Sequence, residues 1–134
     1  MKKRQWLAQI SLMILLTLFG SETFAKTAKH PVMTDKKVGV ASYFNDKFHG
    51  QRTASGERYD KNALTAAHAN LPFGTMIKVV NLKNHHSVNL RVNSRPHAKN
   101  KRMLDVSKQA AKQLGFLRSG LAKVEIIVLQ LGNA

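Results

Sequence analysis

The sequence predicts a small, mainly β domain, either a barrel or a sandwich, with one short helix. Short segments of alternating apolar and polar residues recur along the chain and are separated by turn signals. One further segment combines helical spacing with cap signals at both ends. About five or six short strands fit into the roughly 95 residues that carry these patterns, which favours a single β domain.

The first predicted strand, residues 38–44, is rich in β-branched and aromatic residues. Two more, residues 76–81 and 87–93, flank a hairpin loop at residues 83–86, and a turn at residues 72–75 precedes them. In the second hairpin strand, alternation separates an apolar face from a polar one. The apolar face holds Val88, Leu90 and Val92, and the polar face holds Asn89, Arg91 and Asn93.

Residues 62–70 are ambiguous, because their alanines permit a helical turn while the segment is also short enough for a buried strand. Further along, a short apolar piece at residues 103–106 precedes Ser107, which is expected to cap a helix that ends at Gly115. Residues 124–131 are predicted to form the last strand. That strand is apolar enough to be central or buried on both faces.

The N-terminus has the three regions of a secretory signal peptide. Basic residues 2–4 precede an apolar run at residues 6–19, and small residues follow at the two positions that a signal peptidase reads. We therefore predict a signal peptide at residues 1–25, a flexible basic lead-in at 26–37 and a folded domain at 38–132. The alternative is an uncleaved membrane anchor, but the apolar run is shorter than the roughly 20 residues that span a bilayer.

The chain is strongly basic: 22 Lys and Arg against 7 Asp and Glu give a formal net charge of +15. In an exported protein this charge predicts association with an anionic envelope surface. It does not predict nucleic-acid binding, for which the aromatic residues are also too few and too scattered. Because there is no cysteine, lipid attachment through cysteine is excluded. We expect a monomer that is periplasmic or secreted and is not lipid-anchored.

The stretch Phe48–Pro72 is the candidate site, because it places carboxylates and an imidazole among turns. Glu57 and His68 are the acid and potential base that general acid–base catalysis requires, although the same residues fit an ordinary solvated loop. Glu57 is the preferred proton donor if partial burial raises its pKa, an effect that neighbouring Arg58 opposes. Asp105 is assigned to structural support at the start of the helix.

Neither a metal ion nor a cofactor is predicted. His85 and His86 are adjacent, so on a strand they face opposite sides, and cysteine ligands are absent. The sequence contains no glycine loop that would cradle a phosphate. Its serines also lack the pattern of a nucleophile elbow.

Six segments in order resemble the RlpA family, the rare lipoprotein A group. The segments are VGVASYF, FHGQRTASGERYD, NALTAAHANLPFGT, VVNL, VNLRVNSR and LDVSKQAAKQLG. The resemblance extends from about Val38 to Leu131 and implies a six-stranded double-psi β-barrel of the expansin and barwin type. It also implies a periplasmic lytic transglycosylase that acts on peptidoglycan glycan strands lacking stem peptides.

The resemblance also implies site residues. The glutamate of the family's A-x-G-E segment matches Glu57, and the histidine of its T-A-A-H segment matches His68. The aspartate of its V-N-D-R segment falls on Ser94, which cannot exchange a proton as a carboxylate does near neutral pH. These three are the expected catalytic positions. Expected substrate contacts are Tyr43, Tyr59, Asn93 and Arg95, with packing as the alternative role of the two tyrosines.

The implied reaction cleaves the MurNAc–GlcNAc β-1,4 bond without water. One acid protonates the leaving oxygen and then takes the proton of the sugar's own 6-hydroxyl, which closes a 1,6-anhydro ring. Since the nucleophile is internal, one carboxyl group suffices in principle, so Glu57 is expected to act alone. The alternative is a glycan-binding barrel that has lost catalysis through Ser94.

Overall fold

The computed structural model describes residues 35–133, which fold into a closed six-stranded barrel with one α-helix and one 3₁₀ turn. The mainly β fold expected from the sequence is confirmed. In chain order the elements are β1 (Lys36–Tyr43), the 3₁₀ turn (Asp46–Phe48), β2 (Thr65–His68), β3 (Met76–Asn81), β4 (Ser87–Ser94), β5 (Leu104–Val106), α1 (Lys108–Leu114) and β6 (Ala122–Gln130).

The order of strands around the barrel is β1-β5-β2-β4-β3-β6, so most neighbours are not consecutive in sequence. Two pairs, β1 with β5 and β2 with β4, are parallel, and the other four are antiparallel. β6 pairs with both β1 and β3 and thereby closes the barrel. Closure removes every free strand edge from the barrel.

The core fills the inside of the barrel with aliphatic side chains. Alternation along β4 turns Val88, Leu90 and Val92 inward, as predicted, and Leu90 and Val92 are fully buried. The hairpin between β3 and β4 also forms as predicted. Other strands supply further large, fully buried side chains, which are Ile77, Val79, Leu104, Val106 and Val124.

Helix α1 has the caps that the sequence predicts. The Ser107 hydroxyl accepts the backbone N–H of Ala110, and Gly115 ends the helix in the left-handed region at a φ of 78°. Ala110, Ala111 and Leu114 form its buried face and close one side of the core. Asp105 is not a cap of this helix, because the N-cap role belongs to Ser107.

The structure corrects or resolves three predicted elements. β1 begins at Lys36, inside the predicted lead-in, because Lys36 and Lys37 pair with β6. The ambiguous segment is a strand, since residues 65–68 pair with β4 and β5. β6 is central, as one of its two predicted alternatives had it, since it pairs with both β1 and β3. It is not buried on both faces, because in a closed barrel one face is external, and Leu129 is exposed there. The predicted signal peptide and the lead-in up to residue 34 lie outside the described residues.

Candidate functional site on the outer face of the barrel

Polar side chains from four neighbouring strands lie on the outer face of the barrel. Directly paired residues in a sheet point to the same side, and Asp105 on β5 pairs with Ser42 on one flank and Ala67 on the other. Two residues before Ala67, Thr65 pairs with Arg91 on β4. Hence Asp105 and Arg91 face the same side, with only the short side chains of β2 between them.

A loop carries Glu57 onto this face. The bridge between Arg52 and Arg58 shapes the loop, and the backbone N–H of Ser55 donates to the Asn93 carbonyl over 3.3 Å. The Glu57 carboxylate accepts two hydrogen bonds from the Arg91 guanidinium, at 2.7 and 2.8 Å, and one from Asn93 Nδ2 at 3.1 Å. This bidentate geometry is the strongest form of an arginine–carboxylate pair.

These contacts correct the expectation that Glu57 is poised to donate a proton. Hydrogen bonds from Arg91 and then from Asn93 hold the pKa of Glu57 below its ordinary value of 4.5, and slight burial does not offset them. The carboxylate is therefore ionised near neutral pH. Arg58 is not the responsible neighbour, because its guanidinium donates to the Gly50 carbonyl.

Asp105 is the second carboxylate of the outer face, and the sequence assigned it to another role. Its side chain is 10% exposed, in contrast to 46% for that of Glu57. The Ser42 hydroxyl donates to Oδ1, Asn100 Nδ2 donates to Oδ2 over 2.6 Å, and Arg102 Nε lies 3.5 Å from Oδ1. Asp105 is thus held in place by three side chains and is mostly buried. One feature of the sequence could have marked Asp105 as a site residue: it is a carboxylate within a short apolar strand segment.

Ser94 lies at the end of β4, where the register with β2 shifts by one residue. Ala66 pairs with Val92, but Ala67 pairs with Ser94, so Asn93 and Ser94 together oppose one residue. Such irregularities re-aim side chains and are common beside active sites. Ser94 and Asp105 flank Ala67 on its two neighbouring strands, which places their Cα atoms about 10 Å apart. Ser94 is buried.

His68 does not contact Glu57, although the sequence paired the two residues. It ends β2 and pairs with inward-facing Leu104, and its Nδ1 accepts the backbone N–H groups of Asn70 and Leu71, each at 3.1 Å. The neutral ring therefore carries its proton on Nε2. Burial, with smaller contributions from the positive charges of Lys37 and Arg95, lowers the pKa of His68 below its ordinary value of 6.5.

We expect this buried neutral histidine to make stability depend on pH. Its pKa is lower in the folded than in the unfolded chain, so the unfolded chain binds the extra proton first. Above pH 6.5, His68 is neutral in both states and the free energy of unfolding has its full value. As the pH falls below 6.5, the free energy of unfolding declines, and the decline ends once the pH is below the pKa of His68 in the folded chain. Urea unfolding at pH 8, 6.5 and 5 should show this decline in the free energy of unfolding.

A His68→Gln variant should reduce the slope of that pH dependence, whereas His86→Gln, at an exposed hairpin position, should keep it. An equal slope in the parent and in His68→Gln would contradict the expected titration of His68.

The two tyrosines have the packing role that the sequence left as the alternative to sugar stacking. Tyr43 lies edge-on to Phe116 and its hydroxyl donates to the Leu117 carbonyl at 2.9 Å. Tyr59 is buried against Phe44, and its hydroxyl accepts the backbone N–H of Lys108. Because both rings are occupied within the fold, neither is expected to stack on a sugar.

Arg95 and Asn93, the other expected substrate contacts, lie on either side of Ser94. Asn93 is engaged by Glu57, as described above. The Arg95 guanidinium lies over the Phe73 ring, 4.1 Å from its centroid, and donates to the His68 carbonyl at 2.8 Å. The site therefore has two arginines paired with carboxylates, Arg91 and Arg102, and one arginine, Arg95, held by an aromatic ring and a carbonyl.

Three further features concern other parts of the surface. Within residues 35–133, no three His, Asp or Glu side chains group closely enough to hold a metal ion. No helix in that range is long and apolar enough to cross a membrane. One open depression, lined by Leu64, Lys78, Asn89, Gln113 and Leu129 among others, lies over β3, β4 and α1. None of the site residues described above lines it.

The profile of a family described as lytic transglycolase matches residues 36–126 of the chain, which is nearly the whole barrel. The chain belongs to this family. The resemblance to RlpA seen in the sequence is thereby confirmed. In this lytic transglycolase barrel, the matched region includes every site residue described above, from Ser42 to Asp105.

Individual relatives carry the name endolytic peptidoglycan transglycosylase RlpA. The Campylobacter jejuni protein is 46% identical over 96 residues, which is 72% of this chain and 35% of that protein. The Neisseria meningitidis serogroup A protein is 47% identical over 100 residues, 75% of this chain and 42% of that protein. The lytic transglycolase chain thus spans well under half the length of these curated relatives.

Solved structures confirm the double-psi β-barrel fold. The Streptomyces papain inhibitor superposes with a TM-score of 0.57 at 18% identity, over 71% of this chain and 94% of that chain. An expansin of Clavibacter michiganensis superposes with a TM-score of 0.57 at 15% identity, over 74% of this chain and 52% of that chain. At these identities the likeness concerns the fold alone.

Proposed function

We propose that this protein is an endolytic peptidoglycan lytic transglycosylase. It cleaves MurNAc–GlcNAc β-1,4 bonds in glycan strands that lack stem peptides and leaves 1,6-anhydro ends. The observation that carries the proposal is the family match across residues 36–126, combined with two carboxylates, Glu57 and Asp105, on one outer face. Relatives named for this activity support it, with about half of the aligned residues identical.

The two carboxylates have different surroundings, which suggests different tasks. Glu57 is held as an anion by Arg91, so in this arrangement it carries no proton near neutral pH. It is suited to placing negative charge near the oxocarbenium-like sugar of the transition state. Asp105, fixed by Ser42 and Asn100, is the remaining carboxyl group on the face. The Arg91 guanidinium beside Glu57 can only donate, whereas the Ser42 hydroxyl beside Asp105 can also accept a hydrogen bond from a protonated carboxyl group. On this difference we assign proton transfer to Asp105.

In the proposed reaction, the Asp105 carboxyl group delivers a proton to the glycosidic oxygen, and the bond from that oxygen to C1 of MurNAc breaks. GlcNAc leaves with a hydroxyl group at C4. The 6-hydroxyl oxygen of MurNAc then bonds to C1, and its proton passes to the Asp105 carboxylate, which restores the acid. No water is consumed. Positioned proton transfer of this kind typically contributes about 10²–10⁴ in rate.

The test is muropeptide analysis of stem-peptide-free glycan after incubation with the purified protein. New 1,6-anhydro ends that accumulate with time are the expected result. The second candidate function is glycan binding without catalysis, which is favoured by the serine at position 94 and by the ion pair of Glu57. Co-sedimentation with the glycan without new ends would establish that second function and refute the first.

We further propose that the chain acts outside the cytoplasm, in the periplasm or after secretion, as a monomer without a lipid anchor. A basic N-terminus followed by an apolar run supports export. The substrate named for the relatives, peptidoglycan, is a polymer of the cell wall. The high positive charge of the chain also suits an anionic envelope surface.

Restoring a carboxylate at position 94 should increase the activity. Ser94 and Asn93 together oppose Ala67, so an aspartate in place of Ser94 would lie between Glu57 and Asp105 on the outer face. A third positioned carboxylate can share the proton transfers. We therefore expect Ser94→Asp to raise the rate of anhydro-end formation at least severalfold over the parent. Initial rates on stem-free glycan measure this.

The matched control for Ser94→Asp is Ser119→Asp, which makes the same change at an exposed position after α1 and should leave the rate unchanged. If folded Ser94→Asp binds glycan as the parent does yet cleaves no faster, position 94 is not equivalent to the family aspartate.

A further inference from the structure

Arg95 is a cation that the fold holds in place without giving it a carboxylate. Its guanidinium lies over the Phe73 ring, and Nη1 donates to the His68 carbonyl at 2.8 Å. Among residues 35–133, the ion pairs of arginine involve Arg91 with Glu57 and Arg102 with Asp105, and none involves Arg95. A guanidinium has five N–H donors in a planar fork. Most of the donors of Arg95 therefore remain for a ligand.

The surroundings of Arg95 add positive charge. Lys99 and Lys101 are exposed on the loop that follows Arg95. The two carboxylates of the site each already face another arginine, Glu57 with Arg91 and Asp105 with Arg102. This end of the outer face is therefore suited to an anion, and a planar fork is suited to a carboxylate in particular.

An anion bound at Arg95 must belong to a ligand that also reaches the carboxylates of the outer face. Asn93, which binds Glu57, is two residues before Arg95, so their Cα atoms are about 7 Å apart along extended backbone. A sugar of the same strand beside the cleavage point can therefore contact Arg95. In the proposed substrate, the only ionised group on the sugar backbone is the carboxylate of the lactyl group of MurNAc. This carboxylate is free when no stem peptide is attached, and it becomes an amide when one is.

We propose that Arg95, supported by Phe73, binds the free lactyl carboxylate of MurNAc and thereby selects glycan strands without stem peptides. This inference rests on the proposed function and adds the specificity determinant to it. A stem peptide converts the carboxylate into a neutral amide at the point where the guanidinium binds. It also adds bulk there, so both charge and shape favour the stripped strand.

The test measures equilibrium binding of labelled glycan strands to the purified protein in three chemical forms. The first form has free lactyl carboxylates, the second has them converted to primary amides, and the third keeps its stem peptides. We expect the first form to bind about tenfold more tightly than the second, as the loss of one charge-assisted carboxylate contact predicts. The third form should bind no better than the second.

Arg95→Gln should abolish the difference between the first two forms and leave binding of the amide form unchanged. Arg118→Gln, which removes the same charge at an exposed position after α1, should keep the parental difference. Arg95→Lys keeps the charge without the planar fork and should retain only part of it. This variant also serves as the folded test protein if Arg95→Gln does not fold.

Several results would overturn the inference. If the parent protein binds carboxylate and amide strands equally, it has no site that recognises the lactyl carboxylate. If Arg95→Gln weakens both forms equally, or Arg95→Lys keeps the full difference, Arg95 is a structural residue. Tight binding of stem-bearing strands would show that any carboxylate, including those of the peptide, is accepted. Tighter binding of the carboxylate form without new anhydro ends would refute the transglycosylase function alone. Cleavage by a protein that binds both forms equally would refute the carboxylate-binding role of Arg95 alone.

Discussion

Asp105→Asn is expected to lower the rate of anhydro-end formation by about 10²–10⁴, the typical contribution of a positioned proton-transfer group. Asparagine has the same shape and keeps an oxygen for the Ser42 hydroxyl. The amide of Asn100, which now donates to Asp105, can turn to accept from the new amide. The barrel should therefore fold, and binding of stem-free glycan should persist. Initial rates and co-sedimentation on one preparation measure both properties.

The matched control is Asp46→Asn, which removes an exposed carboxylate that pairs with Lys108 at 2.7 Å. We expect it to keep the parental rate, because exposed ion pairs contribute little. A folded Asp105→Asn protein that cleaves at the parental rate would exclude Asp105 from proton transfer and leave Glu57 as the remaining carboxylate of the outer face.

Glu57→Gln is expected to lower the same rate by about 10²–10³, the usual cost of losing one preorganised electrostatic contact to the transition state. The change leaves Arg91 and Asn93 in place but removes the negative charge between them and the sugar. Its effect on folding should be small, since the side chain is 46% exposed and half-exposed ion pairs contribute less than about 1 kcal/mol. Thermal unfolding beside the rate assay checks this.

The pH profile separates the anionic role of Glu57 from that of a proton donor. Arg91 holds the pKa of Glu57 below 4.5, so a catalytic anion stays active down to that region and loses activity as the pH falls further. In an Arg91→Gln variant the pKa should return toward 4.5, and the acidic limb should move to higher pH. If Glu57 were the proton donor instead, the alkaline limb would move to higher pH in Arg91→Gln, and the acidic limb would stay where it is.

Much of the fold follows from local patterns, and β4 shows why. Alternation along residues 88–93 separates the buried aliphatic face from the polar face that carries Arg91 and Asn93, without knowledge of any neighbour. Capping by Ser107 and Gly115 is equally local. The strand order is not, because β1 pairs with β5 and β6 across most of the chain. The double-psi topology was therefore predicted from the resemblance rather than from periodicity.

The sequence proposed candidate residues for the site, but it did not predict which of them contact each other. Glu57 was a candidate because it lies among turns, yet its partner Arg91 is 34 residues away, and only the barrel brings them together. Local reasoning chose Arg58, whose side chain turns to a loop carbonyl. Asp105 was assigned to the helix because it precedes one, whereas its contacts are with Ser42 and Asn100. The pairing register of the strands decides which side chains meet, and it cannot be deduced from the spacing of residues in the sequence.

The pairing of β6 with β1 also has a consequence for the time course of folding. The ladder joins Lys36 to Ile127, so the first and last strands must meet before the barrel closes. Such distant contacts slow folding, typically to between milliseconds and seconds. The chain between the two strands must lose conformational entropy before their stabilising contacts can form. A nascent chain that still lacks its last strand cannot complete the barrel.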